Sequence, residues 1–405
     1  MSNPDRSAQR MQDALYLAAS YQFRERGENR WSVSSQSGEK PYKIGGDHGG
    51  AWSCTCQDHQ ESLDHCKHIL AVSIALQREG KRPHRTRPRR RTDATKYSQD
   101  WPSYNKAQCN EKRQLMLLLK DLCATLPGTT EHQTGRNAVP LADICYAMVL
   151  RAYVRLSARR FTSDLLDAQG AGLIGTVPSY NTLLRYGMSE EVSNALALLL
   201  ATSSVPLSQV ESCFAVDSSG FSTCQQRTWL SETHGRVLQS RQWRKCHIVT
   251  GTTTNVVAAA QITGPTTHDS PILPALVADA SQRFVLEEVS ADKGYLSQAN
   301  AEAIEALGAQ PFIAFKTDTN APPADGTAWS RMYHLYAYNR NTYMDHYHRR
   351  SNVESTFAMI KAKFGDRLSS KSPTGQDNEI MARLVAHNLC VLVQSMYELG
   401  VEPAF

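Results

Sequence analysis

Between residues 210 and 315 the apolar residues arrive in short bursts separated by polar or turn-rich segments, and their order limits the fold more than any other feature. CFAVD, KCHIVTG and NVVAAAQIT are β-type runs that follow one another with no helical pattern between them. A helical stretch, ILPALVADASQ, opens at Ser270 and Pro271; FVLEEVSAD then reads as strand, AEAIEAL as helix and PFIAF as a fifth strand. Three consecutive strands, then helix, strand, helix and strand, specify an α/β fold: a mixed sheet covered by helices. The sequence carries no fixed-period repeat, Walker motif or dinucleotide fingerprint.

The region before this sheet is helical. EKRQLMLLLKDLCATL and LADICYAMVLRAYVRLSARR place apolar residues at helical spacing. ARRFTSDLLDAQGAGLIGTVPSYNTLLRYG then gives a short helix, a Gly-rich turn and a second helix opened by Pro178 and Ser179. That order suits either a helix-turn-helix reader with residues 179–186 in a major groove, or a packed α-hairpin. From Arg78 to Arg91 the chain reads REGKRPHRTRPRRR, eight Lys or Arg against one Glu, with Pro83 and Pro88 breaking any helix. Such a run is a solvated tether, and its charge attracts polyanions, nucleic acid first among them. The expected organisation is a zinc-binding module at 1–80, a basic linker at 81–110, a helical DNA-binding region at 111–205, a catalytic domain at 206–397 and a tail at 398–405.

Ten cysteines in 405 residues are too sparse for a disulfide-built scaffold. The opening MSNPDRSAQR has no apolar stretch of a secretory signal, and no uninterrupted apolar run approaches the roughly 20 residues that span a bilayer. A soluble, intracellular protein without membrane contact is expected. Three cysteines are clustered, in WSCTCQDHQESLDHCKHIL, where Cys54, Cys56, Cys66 and His68 form C-x-C-x9-C-x-H. Residues two apart in a strand face one side, so Cys54 and Cys56 can converge, while Cys66 and His68 arrive at the start of an apolar helix. Three thiolates and an imidazole are a closed tetrahedral set for structural Zn²⁺. His48, His59 and His65 are alternative fourth ligands.

Three acids carry the candidate chemistry. Asp217 closes the run FAVD, and Asp292 follows the strand ending in VSA, so both are expected where the chain leaves the sheet. The third is Glu354, in YHRRSNVESTFAMIKAKFG. Tyr347, Arg350, Glu354 and Lys361, at offsets of 3, 4 and 7, would share one face of a continuous helix that stops at Phe364 and Gly365. Val353, Phe357, Met359 and Ile360 would pack that helix down. Three converging carboxylates repel one another unless a hard cation sits among them, which suits Mg²⁺ or Mn²⁺. Two such ions, about 3.5–4 Å apart, serve in-line displacement at phosphorus. Arg350 and Lys361 read as phosphate clamps and Tyr347 as a contact near the scissile end. Trp329 can stack on a displaced base or anchor packing. His268 and Asp269, in TTHDSPIL, read more readily as a turn and helix cap than as site residues.

The zinc segment, with Trp52 before it and a helix after it, resembles the SWIM-type zinc finger, a module associated with DNA or protein contacts. Tyr347, Arg350, Glu354 and Lys361 resemble the Y-(2)-R-(3)-E-(6)-K signature of IS4-type DDE transposases. With Asp217 in AVDSSGF and Asp292 in SADKGY, they form a complete DDE set over roughly 208–395. The resemblance implies a ribonuclease-H-like catalytic domain, with the first Asp on the first strand, the second after the fourth and the Glu on a later helix. It further implies a prokaryotic, cytoplasmic, nucleoid-associated transposase of an insertion sequence. Such an enzyme would cut double-stranded DNA at terminal inverted repeats, pass the 3′-hydroxyl into target DNA, and act as a homodimer or larger assembly. KTDTNAPPADGTAWS leaves no room for the large β-rich insertion of some relatives. A related endonuclease or domesticated recombinase, and a non-catalytic DNA-binding regulator, remain alternatives; ribonuclease or Holliday-junction activity suits a similar fold.

Overall fold

The computed structural model describes residues 10–11, 13–14, 17, 23–27, 30–33, 41–46, 52–62, 65–81, 100–127, 138–223, 243–316, 319–320, 322 and 325–405. The chain divides into two compact units, Met1–Ser98 and Gln99–Phe405. Most of the basic run, from Arg82 to Arg91, lies outside the described residues.

The first unit is an antiparallel sheet followed by helices. Strands β1 (Phe23–Gly27), β2 (Arg30–Val33), β3 (Tyr42–Gly46) and β4 (Trp52–Cys54) pair in sequence order. Helices α1 (Gln57–Ser62) and α2 (Lys67–Lys81) follow. Trp31, Val33 and Ile44 from the sheet, with Ile69 and Val72 from α2, build a small core that also contains the three clustered cysteines. Trp31 and Trp52 stack with ring centroids 5.4 Å apart. So small an apolar core gives a metal cross-link a large share in stability.

The second unit opens with α3 (Trp101–Ala124), inside the stretch expected as linker. Asp100 accepts a bond from the Ser103 amide, and Pro102 sits in the first turn, so the start is fixed by a cap that the polar composition hid. Helices α4 (Leu141–Val154), α5 (Thr162–Gly170), α6 (Tyr180–Tyr186) and α7 (Glu190–Ser204) follow. Ser179 and Ser189 cap α6 and α7 through their side chains.

The sheet of this unit runs in the order β7-β6-β5-β8-β9, from β5 (Cys213–Ser222), β6 (Trp243–Gly251), β7 (Val257–Thr263), β8 (Glu288–Ala291) and β9 (Gln310–Ile313). The first three strands are antiparallel and the last two parallel to β5, a mixed sheet consistent with the ribonuclease-H-like core expected. Helices α8 (Leu273–Ser281) and α9 (Gln298–Ala306) alternate with the parallel strands. After β9 come α10 (Ala328–Tyr338), α11 (Arg340–Tyr347), a 3-10 turn at His348–Arg350, α12 (Ser351–Phe364) and α13 (Pro373–Glu398). The single continuous helix expected from Tyr347 is therefore broken: α12 begins at Ser351.

One apolar core joins the N-terminal helices to the sheet, because α13 supplies buried side chains to both, Ile380, Leu384, Leu389 and Leu392 among them. Among the described residues α13 alone is long and apolar enough to cross a bilayer, and 78% of its most apolar window is buried inside this unit. Two of its buried polar residues are tied to backbone. Asn388 accepts from the Val257 amide at 2.8 Å and donates to the Val257 carbonyl at 2.9 Å, acting as a missing neighbour for edge strand β7. His387 binds the Asn255 carbonyl at 2.9 Å, and burial holds its pKa down at about 4, so it is neutral.

Candidate functional site

In the first unit Cys54 ends β4, Cys56 follows it, Cys66 precedes α2 and His68 lies in its first turn. All four are buried, and their ligand atoms lie within 4.8 Å of one another. His68 Nδ1 is 3.9 Å from Cys54 Sγ and 4.0 Å from Cys66 Sγ. A zinc tetrahedron with Zn–S bonds near 2.3 Å has edges of about 3.8 Å, so the cluster is a slightly expanded form of a closed site. A hydrogen bond from Cys54 holds the Cys66 thiol down at about 3, whereas its bond to Cys66 and burial push Cys54 up. Three thiols and an imidazole in one buried pocket are soft ligands of the kind that a structural zinc ion takes. His59 and His65 lie outside this cluster, and His48 lies outside the described residues.

In the second unit the acids are brought together by strand pairing and one helix. The parallel ladder between β5 and β8 reaches Val216 opposite Ala291, so the next residue on each strand is an aspartate. Asp217 does not end its strand, as the sequence suggested: β5 continues to Ser222 because SSGFS stays paired with β6. What ends at Asp217 is the pairing on the β8 side. Asp292 begins a 3-10 turn, Lys293–Tyr295, yet its side chain makes no capping bond there.

Helix α12 supplies the third acid. Val353, Phe357, Ile360 and Phe364 are buried on one face and leave Glu354 exposed; Met359, expected in the packing face, is 41% exposed. The Arg350 guanidinium joins the set, with Nη1 2.8 Å from Glu354 Oε1 and 3.7 Å from Asp217 Oδ2. The Tyr347 ring lies 5.8 Å from the Arg350 guanidinium carbon, and burial first, then the Asp292 charge, push its hydroxyl up against the pull of Arg350. Burial first, then the charges of Asp292 and Glu354, push the Asp217 carboxyl up against the opposing pull of the Ser218 amide and Arg350. Tyr347, Arg350 and Glu354 thus meet at one place, although they come from the end of α11, the 3-10 turn and α12.

Lys361 stands apart from the acids. Its Nζ bonds Ser219 Oγ at 2.7 Å and lies over the Phe221 ring at 5.2 Å. Ser219 is two residues beyond Asp217, on the same face of β5, so the ammonium flanks the acids along the strand by about 7 Å. Trp329 packs edge-on against Phe315 with centroids 5.1 Å apart, as a packing anchor would.

A second layer lies on the opposite face of β5. Ser218, whose amide donates to Asp217 Oδ1 at 2.7 Å, sends its hydroxyl to Asp269 Oδ1 at 3.1 Å. Lys245 forms an ion pair with Asp269 at 2.5 Å, and the ring of buried His247 has Nδ1 3.4 Å from the same oxygen. Burial holds the His247 pKa down. Asp269 makes no capping bond in its own turn, against the cap expected, and supports the strand carrying Asp217; His268 is exposed. Lys245 and His247 went unnoticed in the sequence, where their one signal was a two-residue spacing in a strand. Register then puts His247 opposite Ser218.

Among solved structures the chain is similar to a piggyBac transposase synaptic complex with hairpin DNA determined by cryo-EM, at 11% identity over 73% of this chain and 75% of that one, with a TM-score of 0.35. Residues 208–389, which contain the whole five-stranded sheet and all three acids, match the family described as the transposase DDE domain. This segment is a DDE-type transposase domain.

Proposed function

We propose that the chain is an IS4-type DDE transposase that cuts DNA at element ends and joins the 3′-hydroxyl to target DNA, with Asp217, Asp292 and Glu354 as its catalytic acids. The observation that carries this reading is the sharing of Arg350 between Asp217 and Glu354 at the point where the β5–β8 pairing delivers Asp292. Three carboxylates from three elements, with one guanidinium bridging two of them, are hard-oxygen donors of the kind that Mg²⁺ or Mn²⁺ takes, and the charges of Asp292 and Glu354 act on Asp217. When bound, a pair of such ions would activate a water or 3′-hydroxyl and stabilise the departing oxygen.

The rest of the chemistry falls to the chain. Asp217 and Asp292 are fixed by the sheet, so they need no reorganisation to receive a scissile phosphate. Arg350 is a planar, permanently charged donor beside the acids, suited to a phosphate oxygen. Lys361 supplies a second cationic group along the strand, and Tyr347 stands beside Arg350 as a contact near the scissile end. Cleavage and joining both displace at phosphorus, so one site serves both. The N-terminal unit is read as a SWIM-type zinc finger, and it, the basic run and the α5–α6 pair as contacts to double-stranded DNA. Assembly of at least two copies on paired ends, in a prokaryotic cytoplasm on the nucleoid, completes the reading.

The test is cleavage of a plasmid carrying the DNA that flanks the gene, with Mg²⁺ or Mn²⁺. Asp217→Ala, Asp292→Ala and Glu354→Gln are expected to abolish cleavage while DNA binding persists. Full strand cleavage by any one of these purified variants rejects the assignment.

A further inference from the structure

A cavity of about 560 Å³ lies between the helical region and the far end of α12. Its volume falls among those of pockets that enclose a small organic ligand, roughly 300–1,000 Å³. The C-terminal end of α4, the end of α6 and the segment 364–371 form its walls, and α13 its floor. Two kinds of group line it. Leu156, Leu184 and Met188 are exposed by 38%, 44% and 50%, an open apolar wall on one side of a single cavity. Arg155, Arg367 and Lys371 are exposed on the rim, and among the described residues none of the three has a carboxylate partner. Two acids also line it: Glu379 is already held by Arg383 at 2.5 Å and by the amides of Ser369 and Ser370, and Asp366 is exposed beside Arg367, so cations outnumber open acids on the rim.

The rim is built at a conformational cost. Arg155 caps α4 with φ +61, a conformation that favours glycine. Its guanidinium reaches Gly365, itself at φ +88, where a Cβ would meet Arg155 Nη2 at 3.1 Å. The backbone at both positions is shaped so that this guanidinium stands at the mouth of the cavity.

We propose that this cavity binds one unpaired nucleotide of a DNA strand, its base against Leu156, Leu184 and Met188 and its flanking phosphates on Arg155, Arg367 and Lys371. An apolar wall with a cationic rim matches an unstacked base with its phosphates; a duplex would offer the rim its phosphates and leave the wall unused. The proposal rests on the reading of Asp217, Asp292 and Glu354 as a DNA-cutting site. Glu354 and Phe364 lie at opposite ends of α12, about 15 Å apart by helical rise, and Lys361 lies between them. That is roughly four nucleotides of stacked strand. A strand held at the acids would need about that length to reach the cavity.

The experiment uses the full chain with a labelled single-stranded oligonucleotide of mixed sequence and the matching duplex, in fluorescence anisotropy over a salt series. Arg155→Gly suits the left-handed backbone, so the Arg155→Gly/Lys371→Ala variant is expected to fold with an unchanged melt. Losing two phosphate contacts should reduce the single-strand slope of log K against log salt by about 1.4. Leu156→Glu, on the same apolar wall but outside α5 and α6, should weaken single-strand binding by about tenfold and leave duplex binding unchanged. Oligonucleotides bearing 5-iododeoxyuridine should cross-link to the 183–188 segment. An unchanged salt slope, equal losses for duplex and single strand, or cross-links confined elsewhere would overturn the proposal. Plasmid cleavage separates the two readings. Single-strand binding here by a chain that never cuts defeats the transposase reading alone, whereas cleavage with no effect of these variants on binding defeats the cavity alone.

Discussion

Replacing Asp217 by Asn removes one negative charge from a place where three carboxylates act on one another and a single guanidinium bridges two of them. The Asp217 carboxyl is raised by burial and by its acidic neighbours, so its folded pKa lies above the unfolded value of about 3.9. A carboxyl shifted that way contributes stability below the unfolded pKa and loses it as pH rises through the folded one. In metal-free buffer at pH 7 the wild-type site is therefore under strain, and Asp217→Asn should melt higher. Below about pH 3.9, where the carboxyl is protonated in both states, that advantage should vanish. Divalent cation should reverse the order. Saturation at 100 times Kd adds about 2.7 kcal/mol to whichever form binds it. The second unit, Gln99–Phe405, spans roughly 300 residues. At about 2.1 cal/mol/K per residue its unfolding entropy is near 0.6 kcal/mol/K, so wild type should gain about 4 °C. Asp217→Asn, lacking a ligand, should gain none. Scanning calorimetry with and without Mn²⁺ at pH 7 and pH 3.5 reads both effects. A variant that melts below wild type without metal at pH 7, or keeps the Mn²⁺ shift, refutes the reasoning.

Three further outcomes are expected. Chelation of zinc should expose the amides of 52–74 to hydrogen exchange while those of β5 and β6 stay protected; equal protection with and without chelator counts against a structural metal. Asn388→Leu strands the Val257 N–H and C=O in the core, at about 1–3 kcal/mol each, so the second unit should melt roughly 3–10 °C lower; a smaller fall would show that Asn388 does not cover the edge of β7. Lys361→Ala should leave the melt of the acid site with Mn²⁺ intact but weaken duplex binding and lower its salt slope by about 0.9; an unchanged slope removes Lys361 from phosphate contact.

The succession of strands and helices along the chain was legible in the spacing of apolar runs, because a half-buried strand must alternate or cluster its apolar residues wherever it lies. The packed face of α12 was legible for a similar reason, in the helical spacing of Val353, Phe357 and Ile360; Glu354 was singled out by its spacing from Tyr347, Arg350 and Lys361. The break at His348–Arg350 was not legible. A 3-10 turn differs from an α turn by a small change in rotation per residue and needs no Pro or Gly, so the periodicity runs through it. Asp217 was misplaced at a strand end because SSGFS has the composition of a turn; its extension is imposed by β6 across the sheet. The support from Asp269, Lys245 and His247 depends on cross-strand register, which leaves no local mark.

The parallel register between β5 and β8 acts as a ruler for the history of this domain. It sets the separation of Asp217 and Asp292 by pairing Val216 with Ala291, upstream of both acids. Chain beyond Tyr295 can lengthen or shorten over generations without moving either carboxylate. A single inserted residue within 288–291 would turn Asp292 to the other side of the sheet while the strand still paired. Variation in this lineage should therefore accumulate in length after the second acid and only in side-chain identity before it.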